Sequence, residues 1–565
     1  MLSITPNPGF VLIVAALLIL IAPRGFRAAT MAGAALLALW LLLEHDFGVA
    51  SAMEQMGLQV VLLNLDALNR IFGIAMLIAL TFIAMFASAR RSRSEDAAIL
   101  LLAGGSVSAL FFGDLIGFVA AAALAGLAAA WVVFASPLEN ASRAGARLMI
   151  WHGLEGLLFL VGVALHLPEG AQLSVFTRLD AQSIGGGFIF AALMIRVGAP
   201  LAHVWLKDGA SHASPAGGAA FSVFTTMLGV YALARLFPGE PMLTPIGAAM
   251  MAIGAFYAAG EDDLRRIAAY ALTAQTGVCV ALIGVGSPLG MAAAEAHAFT
   301  LIFAFAAVQM AAGAIVEREG HASLAKLTGI ARAMPITCIV FLIGGLAAAG
   351  APGFAVYTTH AVALEATAQW DLRWLWAMVA LVSATTFISV AVRPTIVMFR
   401  AAAAPPHWRE SPFAMQLGAG LAAFFSVSIG LAPRWLYDLM PANLSFQPFA
   451  IDRVAAQVEV LGAAGLVYVL LRAVNAAPAE HGVRLLDIDV FYRGPVASAA
   501  RWAGVLLLRL YGAWQALTAR IGRQGSRGFD ALMRLCDRPY AARAGGAALQ
   551  LLTIAAALLI VFFTR

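Results

Sequence analysis

The sequence predicts an all-α polytopic membrane protein of fourteen to sixteen transmembrane helices, two of them broken. Three observations carry this. Apolar runs of about 20 residues, enough to cross a ~30 Å hydrocarbon core, recur from one end to the other. Of the 565 residues, 62% are hydrophobic and 12% charged, with a mean hydropathy of +0.89; a soluble domain carries about twice that charged share. Runs such as LLTIAAALLIVFF near the C-terminus are unbroken, where barrel strands would alternate at period two.

Window length gives about sixteen spans. They lie near 9–23, 29–44, 68–88, 97–111, 114–134, 148–167, 186–206, 217–236, 243–259, 266–286, 292–315, 335–365, 376–398, 413–433, 454–472 and 546–563. The first run, Phe10 to Ala22, lacks the basic flank of a signal peptide and is followed at once by another span, so it reads as a retained helix. Basic residues concentrate in the odd-numbered loops, among them Arg90, Arg91, Arg93, Arg143, Arg147, Arg265, Arg266, Lys326 and Arg400. The long second loop, 45–67, is acidic. The positive-inside rule then makes the odd loops cytoplasmic, in an inner (cytoplasmic) membrane, with the N-terminus outside. Lys207 and Lys326 are the two lysines of the chain, and both are expected in loops, leaving no buried lysine.

Two spans are interrupted. The seventh carries Gly198 and Pro200 just after Arg196; the twelfth carries Gly350, Pro352 and Gly353 in a run that continues to Glu365. Glycine and proline free backbone carbonyls, which is tolerated at membrane depth where the backbone lines a polar cavity or packs in protein. Two broken helices, each beside an ionisable residue, point to an ion path. Arg196 itself costs about 2.5–3.5 kcal/mol at the centre of a membrane helix on insertion scales. Its carboxylate partners within the membrane are expected to be Glu155 or Asp114. His203, His297 and His360 are the titratable candidates near neutral pH.

Residues 475–545 differ from the rest. Arg520, Arg523, Arg527, Arg534 and Arg538 keep near-helical spacing, with Ile521, Phe529, Leu532 and Leu535 on another face. That pattern predicts an interfacial amphipathic segment at the cytoplasmic surface, interrupted around Gly522, Gly525 and Gly528. Cys279, Cys338 and Cys536 are too scattered for a disulfide framework or a metal cluster. No metal site, cofactor, catalytic motif or nucleic-acid partner is expected, so whether the chain serves an enzyme depends on its partners.

The stretch GAPLAHVWLKDGASHASPAGGAAFSVFTTMLGVYALARLF resembles the seventh and eighth helices of the antiporter-like subunits shared by respiratory complex I and Mrp-type multisubunit cation/proton antiporters. DDLRRIAAYALTAQTGV resembles the start of the tenth helix of that family, AHAFTLIFAFAAVQMAAGAI the eleventh, and GLAAAGAPGFAVYTTHAVAL the broken twelfth. LDIDVFYRGP is similar to the tail of the D-type Mrp subunit. The resemblance covers about residues 70 to 400. It implies two inverted five-helix repeats, 97–236 and 243–398, flanked by N-terminal helices (1–96), C-terminal helices (413–472), the amphipathic segment and a last helix (546–565). It also implies other integral membrane subunits as partners, the lipid bilayer as surroundings, and protons or monovalent cations as cargo.

The family's polar residues are largely replaced. Its fifth-helix glutamate falls on Ala123, nine residues after Asp114, and its seventh-helix lysine falls on Arg196. The eighth-helix lysine falls on Met227. The eleventh-helix histidine, histidine and lysine fall on His297, Leu301 and Phe305, and the twelfth-helix lysine on His360. Three functional classes stay open at this point: an ion-translocating subunit, a non-conducting scaffold subunit, and the membrane partner of a quinone-linked, hydrogenase or inorganic-carbon uptake complex.

Overall fold

The computed structural model describes residues 6–23, 25–55, 58–89, 92–166, 174–401, 409–442, 444–474 and 487–536. The chain divides into two units, Met1–Leu485 and Leu486–Arg565.

The first unit is a multi-pass helical membrane protein. Its helices are α1 (Pro8–Ile21), α2 (Arg27–Glu44), α3 (Ala67–Ala87), α4 (Arg93–Phe111), α5 (Leu115–Phe134), α6 (Ala141–His166), α7 (Ile184–Val197), α8 (Val204–His212), α9 (Pro215–Leu236) and α10 (Leu243–Gly260). They continue with α11 (Leu264–Val285), α12 (Pro288–Glu319), α13 (Pro335–Ala348), α14 (Ala355–Gln369), α15 (Arg373–Thr386), α16 (Arg393–Phe399), α17 (Phe413–Leu431), α18 (Arg434–Tyr437) and α19 (Ile451–Ala473). Twelve helical stretches are long and apolar enough to cross a membrane. With α1 and the broken pairs α7/α8 and α13/α14, the described residues supply fifteen spans. The sixteenth expected span, 546–563, lies outside the described residues.

Local sequence sets the helix ends. Asp66 forms a capping box with Asn69, and Ser92, Asp114, Ser183, Ser214, Asp263 and Ser287 each accept a backbone N–H of the first turn. Such caps stabilise a helix by about 0.5–2 kcal/mol. Prolines stand in the first turn of α1, α9, α12 and α13, where the missing N–H costs nothing. Helices α11 and α12 are buried along their whole apolar windows, whereas the α19 window is 22% buried.

The loop expected at 45–67 is instead an antiparallel hairpin, β1 (Gly48–Gln55) paired with β2 (Leu58–Leu65). The β-branched Val60 and Val61 favour strand, and the hairpin is tied down where Val61 accepts the Gly113 N–H at 2.9 Å.

Two five-span blocks, starting at α4 and α10, use the same devices. Asp114-Leu115 opens α5 and Asp263-Leu264 opens α11, and each aspartate pairs across an isolated antiparallel bridge with a serine beyond the next helix, Ser174 and Ser323. In each block the following helix breaks at the tripeptide Gly-Ala-Pro, residues 198–200 and 350–352. Gly198 and Gly350 are left-handed, at φ 72° and 70°. Ala199 donates back to Met194 and Ala351 to Leu346, at 2.9 and 3.0 Å. This is the Schellman termination, which needs a residue tolerant of positive φ. The last helix of the second block carries a π-helical segment, Phe387–Val392, just before Pro394, which has no N–H to offer the Val390 carbonyl.

In the second unit, α20 (Asp489–Phe491) and a π turn lead into α21 (Ala497–Cys536), 40 residues long. It runs unbroken through Gly522, Gly525 and Gly528, correcting the expected interruption. Each glycine costs about 1 kcal/mol in a helix interior. Trp502, Leu506, Leu510, Trp514 and Leu517 are exposed along it.

Candidate functional site

Arg196 lies in the last turn of α7, two residues before the left-handed Gly198, and is 2% exposed. Its Nε donates to Glu155 Oε1 at 2.5 Å and its Nη2 to the Ala122 carbonyl at 2.7 Å. The carboxylate therefore comes from α6. A Cβ on Gly156, the next residue, would stand 4.0 Å from the Ala123 Cβ, so Glu155 enters beside the position where the family resemblance puts a glutamate on α5.

The other Glu155 oxygen is 2.8 Å from His152 Nδ1, and both side chains are fully enclosed. The His152 ring meets Trp205 edge-on at 5.1 Å. Trp205 Nε1 donates to the Ile195 carbonyl at 2.8 Å, taking up a backbone acceptor at the end of α7.

Asp114, the alternative partner for Arg196, is occupied elsewhere. Its Oδ1 accepts from Gly117 N at 2.7 Å as the α5 cap, and its Oδ2 accepts from Val61 N at 2.9 Å. It stands at the helix end and holds the hairpin, with both oxygens taking backbone N–H groups.

His203 precedes α8 and sits between Tyr257 and Tyr270, with ring centroids 6.1 and 6.3 Å away. Lys207 corrects the expectation that both lysines lie in loops. The break restarts the chain as α8, which continues to His212, and Lys207 is 2% exposed with its Nζ 5.6 Å over the Tyr270 ring. Beside it, Asp208 pairs with Arg147 of α6 at 2.7 Å.

The second block has a neutral counterpart. Gln275 on α11 bridges the Ala348 carbonyl (2.8 Å) and His297 Nε2 (3.0 Å). His297 Nδ1 is 3.0 Å from Thr359 Oγ1, which also meets Thr300 at 3.1 Å. The His360 ring lies 6.4 Å from that of His297, and among the described residues neither of its nitrogens has a hydrogen-bond partner. Past the α13 break, Gln457 of α19 donates to the Gly350 carbonyl and to Ser383 Oγ, at 2.9 and 2.7 Å. A cavity of about 180 Å³ opens there, lined by Tyr357, Glu365, Asp452, Arg453 and Gln457 among others.

Arg196 and Glu155 are thus brought together, as are His297 and His360. Glu365 pairs with Arg453 at 3.3 Å. Sequence reasoning passed over His152 and Gln275. The spacing His152-x-x-Glu155, one helical turn, was the available signal for the first.

Comparisons with known proteins agree with this architecture. Residues 74–389 match the family model described as NADH:quinone oxidoreductase/Mrp antiporter, transmembrane. An uncharacterized protein of Methanocaldococcus jannaschii is 25% identical over 278 residues, 46% of this chain and 58% of that protein. The NADH-quinone oxidoreductase subunit M of Mycobacterium tuberculosis is 27% identical over 209 residues, 35% of this chain and 36% of that subunit. The chain thus spans less than two thirds of the length of either relative. A chain of the Mrp complex from Dietzia sp. DQ12-45-1b has the same fold, with a TM-score of 0.69 at 19% identity, covering 84% of this chain and 98% of that one. By sequence over more than half its length, this chain belongs to the NADH:quinone oxidoreductase/Mrp antiporter membrane family.

Proposed function

We propose that this chain is an ion-translocating membrane subunit of a multisubunit complex of Mrp or complex I type, moving protons or monovalent cations. The observation that carries this reading is the pair of buried polar clusters, one at each helix break. Arg196, Glu155 and His152 gather at the first; Gln275, His297, Thr359 and His360 gather at the second. Buried ionisable groups in a membrane bundle are costly and mark ion paths, and broken helices at corresponding places supply the backbone acceptors.

The matching Asp–Ser bridges and Gly-Ala-Pro breaks support reading 97–236 and 243–398 as two repeats. Five spans per block reverse the second relative to the first. The distribution of arginines supports a cytoplasmic-membrane location with the N-terminus outside. Exposed apolar side chains on α19, among them Leu466, Val467, Val469 and Leu470, suit lipid or neighbouring membrane subunits.

A non-conducting scaffold role draws on one observation: Arg196 cannot release its proton, because an arginine stays charged in proteins. Proton flux into vesicles holding the whole complex decides between the two. Glu155→Gln and His360→Ala should each lower flux while the complex still assembles. Assembly with unaltered flux in both variants makes the chain a scaffold.

A further inference from the structure

We propose that His152 is the proton-carrying group of the first polar cluster, with Glu155 as its positioning anion and Arg196 as a fixed cation. This rests on the ion-translocating reading above and names the atom at which the proton sits.

The hydrogen bonds set the tautomer. Glu155 Oε1 accepts from the Arg196 guanidinium at 2.5 Å, and the two form a buried ion pair. A carboxylate only accepts, so the 2.8 Å contact to its Oε2 places the hydrogen on His152 Nδ1. Nε2 is then the lone-pair end of the ring, and among the described residues it has no hydrogen-bond partner. A proton binds at Nε2 and leaves from Nε2, while the Nδ1 hydrogen stays on the ring, donated to Glu155 Oε2. Only the Nε2–H bond forms and breaks, and Arg196 keeps its protons throughout.

The ring is held for this. On α5, a Cβ added to Gly126 would stand 2.9 Å from His152 Cβ and 3.4 Å from Nδ1, so only glycine leaves room for the imidazole there. From α8, Trp205 closes the other side. The charged groups facing the ring are Glu155 of its own helix and Arg196 of α7; α5 and α8 present Gly126 and Trp205 to it. Protonated His152 and Arg196 share one carboxylate, so each cation weakens the hold of Glu155 on the other. That competition is how a site with an arginine at its centre takes up and releases charge: the titrating member is histidine, because arginine keeps its protons.

The test uses the whole complex in vesicles, with proton flux read across about pH 5 to 8. His152→Gln retains an N–H donor for Glu155 but cannot titrate. It should lower flux by about tenfold or more and flatten the pH profile, with assembly intact by native electrophoresis. Flux within about twofold of wild type and an unchanged profile overturn the proposal. Should His152→Gln fail to assemble, Gly126→Ala decides, since it displaces the ring without removing a polar group. A shifted pH midpoint then supports the proposal, and an unshifted one overturns it. His360→Ala, run in parallel, separates the two levels. Loss of flux in His360→Ala with normal flux in His152→Gln rejects only this inference; normal flux in both rejects the translocation reading itself.

Discussion

Glu155 reaches Arg196 from α6, at 2.5 Å, beside the alanine that replaces the carboxylate expected on α5. The pair keeps one buried cation and one buried anion in contact, the cation on the helix the resemblance implies and the anion on α6 instead of α5. Removing one partner of a buried pair costs about 3–5 kcal/mol, because the other is left charged and unpaired.

That relocation is directly testable. Glu155→Ala should lower the thermal stability of the purified complex, or its yield, by an amount in that range. Adding Ala123→Glu should restore at least half of the loss, since Ala123 lies next to the residue following Glu155. A double variant no more stable than Glu155→Ala would show that the two positions do not share the Arg196 guanidinium.

The two helix breaks make a second prediction. Three residues after each left-handed glycine the chain turns left-handed again, at Leu201 (φ 77°) and Gly353 (φ 90°). Leucine is strained there by about 1–2 kcal/mol, glycine is not. Leu201 is 58% exposed, so little packing opposes its removal. Leu201→Gly should therefore raise the melting temperature and Gly353→Leu lower it; a change of the same sign in both would refute the strain argument.

Gln275→Leu is the third. The amide joins the Ala348 carbonyl to His297 Nε2, and its loss leaves two buried polar atoms without that partner. The expected cost is about 1–3 kcal/mol for each unsatisfied group. Gln275→Glu would keep the length but lose the donor to Ala348. Denaturation of both variants in detergent should rank wild type above either, and equal stability for Gln275→Leu would remove the bridge from the account.

Much of this was legible in the sequence because the physics is local. Glycine and proline mark breaks wherever they interrupt an apolar run, and a buried arginine demands an acceptor, so Gly198, Pro200, Gly350, Pro352 and Arg196 with Glu155 could be read directly. What escaped reading depended on tertiary placement. Lys207 follows an apolar window that ends at Leu206, and only the continuation of α8 to His212 against α6, α9 and α11 buries it. Asp114 has the composition of an ion partner, yet Val61 of a hairpin 53 residues away takes one of its oxygens. Gln275 does not titrate, so a search for ionisable groups passes over it.

The final prediction concerns the second cluster. His297 is anchored by Gln275 and Thr359 at its two nitrogens, whereas His360, packed over the left-handed Gly350 with its Cβ 3.7 Å from where a Cβ on that glycine would stand, is bonded at neither among the described residues. A ring held on both sides keeps its tautomer; a ring with neither nitrogen engaged can take a proton at its lone-pair nitrogen and give one up from the other. His360→Ala should therefore reduce proton flux more than His297→Asn, which keeps polar contacts to Gln275 and Thr359 within reach. The double variant should be no worse than His360→Ala alone, because residues acting in one relay are not additive. Flux in vesicles carrying the whole complex gives the ranking directly. An additive loss would mean that the two histidines serve separate routes, and an intact flux in the double variant would leave the second break with a structural role alone.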